Sequence, residues 1–223
     1  MTKQPAWSYS SLSQFETCPA QYAAERVYKT IKREDNEASI WGTEVHSAIE
    51  TRLRTGNKLP ERFLAYEFAA STIERVGGDH FYEEQMSLNR LLRPVTWFAP
   101  DVWVRGILDV LIVNGETAVA LDWKTGKVKP DVTQLKLFAL LTFAHFPGVT
   151  TVSTVFQWLK FNTSTTDIFH RKDIDSLWEH MLQRYGPMEE AHRLDIWTPR
   201  PSGLCKNYCA HKECEFHGVG NRR

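Results

Sequence analysis

Two runs, Gly106-Ile107-Leu108-Asp109 and Leu121-Asp122-Trp123-Lys124-Thr125-Gly126, flank an Asn114-Gly115 pair. Asn-Gly between apolar runs is the strongest short-range signal of a β-hairpin, because both residues tolerate the positive φ of a tight turn. A two-residue turn at Asn114-Gly115 pairs Val113 with Glu116 and sets Asp109 opposite Ala120. Strand side chains alternate between faces, so Asp109, Asp122 and Lys124 then share one. Asp109 and Asp122 become diagonal cross-strand neighbours, near enough for their carboxylates to hold one cation. A slip of one residue would put them on opposite faces. The other positions on this face, Ile107, Leu111, Val113, Ala118 and Ala120, are apolar. An isolated Asp-x-Lys triplet is ordinarily part of a solvated strand; charges along an apolar face need a partner or a metal.

Two carboxylates beside a lysine suit metal-assisted phosphodiester hydrolysis. Hard oxygen ligands favour Mg²⁺ or Mn²⁺, which keep waters and accept phosphate oxygens. Such an ion lowers the pKa of a bound water and polarises the phosphoryl group. The lysine can orient the attacking water or neutralise developing charge.

Working outward, Ser10-Ser11-Leu12-Ser13 marks a helix start, and Pro19 suits the first turn of the next helix. Trp41, Val45, Ala48, Ile49 and Leu53 recur at helical spacing over 38–54. A further helix is expected over 61–75, ended by Gly77-Gly78, and a strand over 81–88. Asp131-x-x-Gln134 has the spacing of a capping box ahead of Leu135, Phe138, Ala139 and Thr142. Strands are expected near 150–161 and 166–170. A long helix follows over 173–193, with Gly186-Pro187 as a candidate break. The pattern is an α/β chain: a mostly antiparallel sheet with one helical crossover, flanked by helices.

The composition gives eight Trp and twelve Phe, ample for a core, and a formal net charge of zero. The whole molecule is therefore not a basic nucleic-acid binder, and any DNA contact needs local patches. Two are candidates: Arg26, Lys29, Lys32 and Arg33, and Lys124, Lys127 and Lys129 beside the hairpin. No apolar run approaches a membrane span, and Met1-Thr2-Lys3-Gln4-Pro5 does not read as a signal peptide, so a cytoplasmic protein is expected. No P-loop pattern is present, so ATP-driven unwinding would need a partner.

The four cysteines form a second constellation. Cys205-x3-Cys209-x4-Cys214 crowd one end and Cys18 lies near the other. In a cytosolic protein such density points to metal before disulfide. Four thiolates suit Zn²⁺ or an iron–sulfur cluster, while His211 and His217 offer tetrahedral zinc coordination without Cys18.

Taken together, these residues resemble the RecB-like branch of the PD-(D/E)xK nuclease superfamily, which includes CRISPR-associated RecB-like exonucleases and AddB-type helicase–nuclease subunits. Gly42-Thr43-Glu44-Val45-His46 is similar to its G-x-x-x-H helix motif, and Gly106-Ile-Leu-Asp109 to its G-x-x-D strand. Asp122-Trp123-Lys124-Thr125-Gly126 is similar to its (D/E)-x-K-T-G strand, and Gln134-Leu135 with Phe138 to its Q-L-x-x-Y helix. Cys18-Pro19 and the three C-terminal cysteines resemble its cluster ligands. The chain departs from the pattern in its cysteine spacing and in carrying Phe138 for the usual tyrosine.

The resemblance implies one domain with a restriction-endonuclease-like core: a central mixed sheet flanked by helices, and chain ends joined at a cysteine metal site. An N-terminal helical segment would cover 8–35, the nuclease core 36–195 and a cysteine-rich segment 196–223. It implies a Mg²⁺- or Mn²⁺-dependent deoxyribonuclease, an exonuclease acting on linear or single-stranded DNA. Its metal would be held by His46, Asp109, Asp122 and the Trp123 carbonyl, with Lys124 positioning water. Gln134 would orient the lysine or a phosphate, or only cap its helix. Of Glu83 and Glu84 at most one can face the metal, and the analogy points to Glu84. Cys18, Cys205, Cys209 and Cys214 would hold a [4Fe–4S] cluster, with Zn²⁺ as the alternative. Trp97 and Trp103 are candidate base-stacking residues. Recombination, repair, phage DNA metabolism or CRISPR adaptation, with helicase or adaptation partners, would be the setting. The competing reading is an inactive zinc- or cluster-stabilised DNA-binding or adaptor module on the same fold.

Overall fold

A computed structural model of the chain describes residues 5–32 and 34–219. Arg33 of the first basic cluster, and Met1 to Gln4, lie outside the described residues. The chain groups into two compact units, one of Met1–Glu34 with His180–Arg223 and the other of Asp35–Glu179.

The Asp35–Glu179 unit is built on a five-stranded mixed sheet in the order β1-β2-β3-β4-β5. Its strands are β1 (Asp79–Asn89), β2 (Val102–Asn114), β3 (Thr117–Lys124), β4 (Thr151–Trp158) and β5 (Thr163–His170). All neighbours are antiparallel except β3 and β4, which run parallel. A parallel pair needs a crossover, and the helix Thr133–His145 supplies it. That helix is apolar nearly all round, and Leu135, Leu137, Phe138, Ala139, Leu140, Leu141 and Phe143 are all buried. Gly106 on β2 lets it approach: a Cβ there would lie 2.5 Å from Leu141 Cδ1.

The hairpin forms at the predicted place in a different register. Asn114 pairs with Thr117 and Val113 with Ala118, so Gly115-Glu116 is the loop. Only Gly115 of the pair takes a positive φ, 58°, as a hairpin turn with glycine at its first central position requires. The shift from the expected register is two residues, so every side chain keeps its face. Asp109 now lies level with Asp122 rather than opposite Ala120.

Before the sheet, the unit carries a helix over Glu37–Thr55, started by an Asn36–Ser39 capping box and ended by Gly56 at φ 73°. Its Val45, Ile49 and Leu53 pack with Val110, Ile112, Leu121 and Trp123 of the sheet. The expected helix over 61–75 begins as a 3₁₀ turn, Glu61–Tyr66, and continues as Glu67–Glu74.

The other unit holds helices Tyr9–Thr17, capped by Ser8, and Pro19–Tyr22, with Pro19 in the first turn. It also holds a short helix, Leu204–Asn207. Trp7 stacks on Tyr185 at 4.9 Å, and Arg184 grips the Glu16 carboxylate through two nitrogens. The long helix Ile174–Leu194 runs through Gly186-Pro187 without interruption. A residue before proline normally resists helix because its Cβ meets the proline Cδ, and glycine has no Cβ. In order of appearance the helices are α1 (Tyr9–Thr17), α2 (Pro19–Tyr22), α3 (Glu37–Thr55), α4 (Glu67–Glu74), α5 (Thr133–His145), α6 (Ile174–Leu194) and α7 (Leu204–Asn207). Among the described residues, no helix is long and apolar enough to cross a membrane.

Candidate active site

The chemistry-bearing side chains of the Asp35–Glu179 unit converge where β2 and β3 part. Their regular pairing runs only from Asn114–Thr117 to Val110–Leu121. One residue further, the Asp109 side chain takes over from the backbone: its Oδ2 accepts the Trp123 amide at 2.6 Å. Its Oδ1 lies 3.2 Å from Nδ1 of His46, which α3 carries across the sheet. Gly42, one turn earlier on α3, passes close to the end of β3; a Cβ there would sit 3.3 Å from Thr125 Oγ1.

Asp122 is buried at the carboxyl end of β3, the end at which open α/β sheets collect ligands. Lys124 Nζ lies 2.6 Å from its Oδ2, and Gln134 Nε2 donates to its Oδ1 at 2.8 Å. Lys124 in turn donates to Gln134 Oε1 at 2.9 Å and sits over the Phe156 ring. The amide of Gln134 therefore locks the acid and the lysine together. Helix capping does not occupy it, because Asp131 Oδ1 takes the Thr133 N–H and no side chain caps the helix from Val132. The capping-box pattern is corrected on this point, and the residue it would have spent on a helix end belongs to the site.

One further carboxylate enters. Ligand atoms of His46, Glu83 and Asp109 all lie within 4.8 Å of one another. Glu84, favoured by analogy, belongs elsewhere: its charge acts on His145 instead. Adjacent strand residues point apart, and the β1 backbone turns Glu83 inward with a φ of 51°. A non-glycine residue in that region costs on the order of 1–3 kcal/mol, strain that collects at functional sites. Alternation alone leaves Glu83 and Glu84 equivalent, and the sequence carries no sign of this distortion.

The electrostatics are those of a site awaiting positive charge. Burial, then the neighbouring charges of Asp109 and Glu50, push the Glu83 carboxyl up to about 7. Burial and Asp109 likewise raise Asp122, with Lys124 pulling the other way. Burial would depress His46, but its hydrogen bond to Asp109 and the charges of Asp109, Asp122 and Glu83 outweigh it, so the net shift is upward. Asp122 Oδ2 is buried and accepts no aligned hydrogen bond, its lysine contact being an ion pair. The donor set of one imidazole and two carboxylates within 4.8 Å, with the Asp122 carboxylate beside it, fits a hard divalent cation. Trp123 sits at the centre through its amide, while its indole is buried in the core. Lys127 and Lys129 are exposed on the loop after β3. Trp103 is buried against Trp178 rather than presented for stacking, whereas Trp97 lies under Arg105.

The cysteine constellation lies in the other unit. Cys18, Cys205, Cys209 and Cys214 are unpaired and line one small enclosed pocket with His211 and His217. Backbone N–H groups of Arg200 and Ser202 point at the Cys18 and Cys205 sulfurs, at 3.5 and 3.4 Å. Burial, together with the other three sulfurs, pushes the Cys209 thiol up. The Nδ1 atoms of both histidines are buried without partners. The four thiols and two imidazoles share the pocket lining, but among the described residues no three of them bring their ligand atoms within 4.8 Å of one another.

No curated protein matches the chain. Among solved structures, one from Eubacterium rectale, provisionally named an exonuclease, covers 92% of this chain and 87% of its own, with 16% identity and a TM-score of 0.51. The structure of SSO0001 covers 97% of this chain and 89% of its own at 15% identity, but its TM-score of 0.43 is too loose to argue from. At such identities the first likeness speaks to the fold alone. The sequence profile of the PD-(D/E)XK nuclease superfamily matches residues 6–214, a span containing every acidic, lysine and cysteine position described above. The chain belongs to the PD-(D/E)XK nuclease superfamily.

Proposed function

We propose that this nuclease is a Mg²⁺- or Mn²⁺-dependent deoxyribonuclease of the RecB-like kind, an exonuclease acting on linear or single-stranded DNA. The observation that carries the reading is the meeting of His46, Glu83 and Asp109 within 4.8 Å, beside a buried Asp122 that bears Lys124. His46, Glu83, Asp109 and Asp122 would hold the cation, joined by the Trp123 carbonyl. When bound, the cation supplies a water of lowered pKa and polarises the phosphoryl group. Lys124, fixed by Gln134, presents its ammonium where charge develops and orients the attacking water. Asp109 holds the Trp123 amide and the His46 ring, so the ligands keep their places without substrate. Cys18, Cys205, Cys209 and Cys214 would carry a structural [4Fe–4S] cluster, with Zn²⁺ as the alternative. A cytoplasmic role in recombination, repair, phage DNA metabolism or CRISPR adaptation, alongside a helicase or adaptation partner, is consistent with this chemistry.

The test is cleavage of end-labelled linear and closed circular DNA with Mn²⁺ or Mg²⁺, comparing wild type with Lys124→Ala and Asp122→Ala. Metal-dependent loss of linear DNA alone, abolished by both substitutions, is expected. Cutting of the circle would replace exonuclease with endonuclease, and an inert, cluster-replete wild type would overturn the enzyme. Absorption near ~400 nm marks iron–sulfur, while a colourless protein with stoichiometric zinc removes it.

A further inference from the structure

The loop joining β1 to β2 is not used by the chemistry above, yet it is held in place by its own hydrogen bonds. Asn89 organises it: its Oδ1 accepts the amides of Leu91 and Arg93, and its Nδ2 donates to Asp101. Ser87 and Val95 exchange hydrogen bonds across the stem, at 2.8 Å and 3.1 Å. This held loop displays apolar groups in water, Phe98 being 86% exposed and Leu91 70%.

Its charge is one-sided. Between Gln85 and Gly106 the sequence has Arg90, Arg93 and Arg105 against Asp101 alone, and Asp101 already accepts from Asn89. Of the arginines elsewhere in this unit, Arg52 is spent on Glu67 and Glu74, Arg54 on Glu50, Arg62 on Glu44 and Arg171 on backbone carbonyls, while Arg75 reaches only the Thr72 hydroxyl at 3.5 Å. Among the described residues, neither Arg93 nor Arg105 has a carboxylate partner. Arg105 instead lies 5.1 Å over the Trp97 ring, its Nε without an acceptor.

The surface is continuous with the site. Arg105, Ile107 and Asp109 alternate along β2 onto one side. Ile107 is 40% exposed and lines the same cleft as His46, Glu83 and Asp109. At ~3.3 Å per residue, Arg105 stands roughly 13 Å from Asp109, a span that a short run of one strand covers.

We propose that the β1–β2 loop receives the unpaired strand of the DNA substrate: Phe98 and the Arg105-backed Trp97 stack bases, and Arg93 and Arg105 hold the phosphates that lead to Asp109. Cationic grooves with aromatic platforms are how single strands are held without sequence preference, because every base has a π-face. The inference rests on the nuclease reading, but its test does not require cleavage.

Fluorescence anisotropy in Ca²⁺ would compare a labelled oligothymidylate 20-mer with a blunt hairpin duplex, for full-length wild type, Phe98→Ala and Arg93→Ala. The exposure of Phe98 leaves folding unaffected, which a thermal melt checks. Phe98→Ala should weaken 20-mer binding roughly 5- to 100-fold, the range for one lost stacked base, and duplex binding less; Arg93→Ala should weaken 20-mer binding as well. Arg93→Ala should also flatten the dependence of log affinity on log salt by about 0.7, one single-strand phosphate contact. Unchanged 20-mer binding by both variants would overturn the proposal and leave the patch to a protein partner. Equal losses on both DNAs would overturn the preference for unpaired strands. If wild type binds as expected but never cleaves, the enzyme reading fails while the loop assignment stands.

Discussion

The acidic cleft and the cysteine pocket are both clusters of would-be ligands, but they are supported in opposite ways. Asp109, Asp122, Lys124 and Gln134 project from strands and a helix whose own cores are filled, and each has partners without any ion. The three C-terminal cysteines sit on a four-residue helix, Leu204–Asn207, and the turns after it, with Cys18 at the junction of α1 and α2. In the first region structure holds the site; in the second the site is asked to hold structure. Substitution in the cleft should therefore remove activity and spare the fold, and substitution in the pocket should do the reverse.

The largest effect tests the first half. Asp122→Asn keeps the shape that Gln134 grips but removes the charge, and DNA cleavage should fall by about 10²–10⁴-fold. The melting temperature of the metal-free protein should change by only a few degrees, since relief of a buried charge is offset by leaving Lys124 without its counter-charge. A variant that fails to fold would show that the cleft, too, depends on its charges for structure.

The second half is tested by Cys205→Ser at the most buried of the four thiols. Metal content should drop together with the thermal midpoint, by on the order of 10 °C, because structural metal binding is folding free energy when no preformed site exists in the unfolded chain. Residual cleavage per folded molecule should survive. Equal stability with and without the thiol would erase the contrast.

A smaller effect lies in pH. Glu83 has its folded pKa raised, to about 7 from an ordinary 4.5, so its favourable contribution is complete below the lower value and lost as pH rises through the upper one. Asp122 acts in the same direction. The metal-free protein should thus melt a few degrees lower at about pH 8 than at about pH 5. Glu83→Gln should flatten that fall, and saturating Mg²⁺ should reverse it by favouring the ionised carboxylates. A metal-free midpoint that rises across this window would mean the carboxylates are already compensated.

How far the sequence disclosed these regions follows from what each rests on. Period-two alternation raised the expectation that Asp109 and Asp122 share a face, and the turn's displacement by two residues leaves that parity unchanged; in the structure Asp109 reaches His46 on α3 while Asp122 is held by Gln134 on α5. Gln134 was ambiguous because a capping glutamine and a site glutamine have the same spacing; Asp131 resolved it by taking the helix-end amide itself. Glu83 was not legible over Glu84, since its orientation comes from a left-handed backbone conformation that only the packed sheet enforces. The C-terminal cysteines announce themselves by density. Cys18 joins them across most of the chain, a contact no local pattern encodes; the sequence offered it as a fourth thiolate with His211 and His217 as alternatives, and the family resemblance implied its place in the set.

The finest test probes how closely the cleft is tuned. Gly42 lies inside α3, where alanine is favoured over glycine by about 0.5–1 kcal/mol. Its missing Cβ leaves room for Thr125 Oγ1, and an alanine Cβ at 3.3 Å would ask that neighbour to yield by a few tenths of an ångström. The threonine hydroxyl can give way by a small rotation, so Gly42→Ala should leave stability equal or slightly higher. Whatever part of the contact the rotation does not absorb moves the helix that carries His46 relative to the strand end that carries Lys124, and catalytic alignment is less forgiving than packing. Cleavage should therefore drop by roughly 2- to 10-fold with the melting temperature preserved, measured on the same preparation. Full activity would show that the glycine serves only close packing, whereas a loss of stability would show that α3 cannot shift and that the cleft's geometry is fixed by the core beneath it.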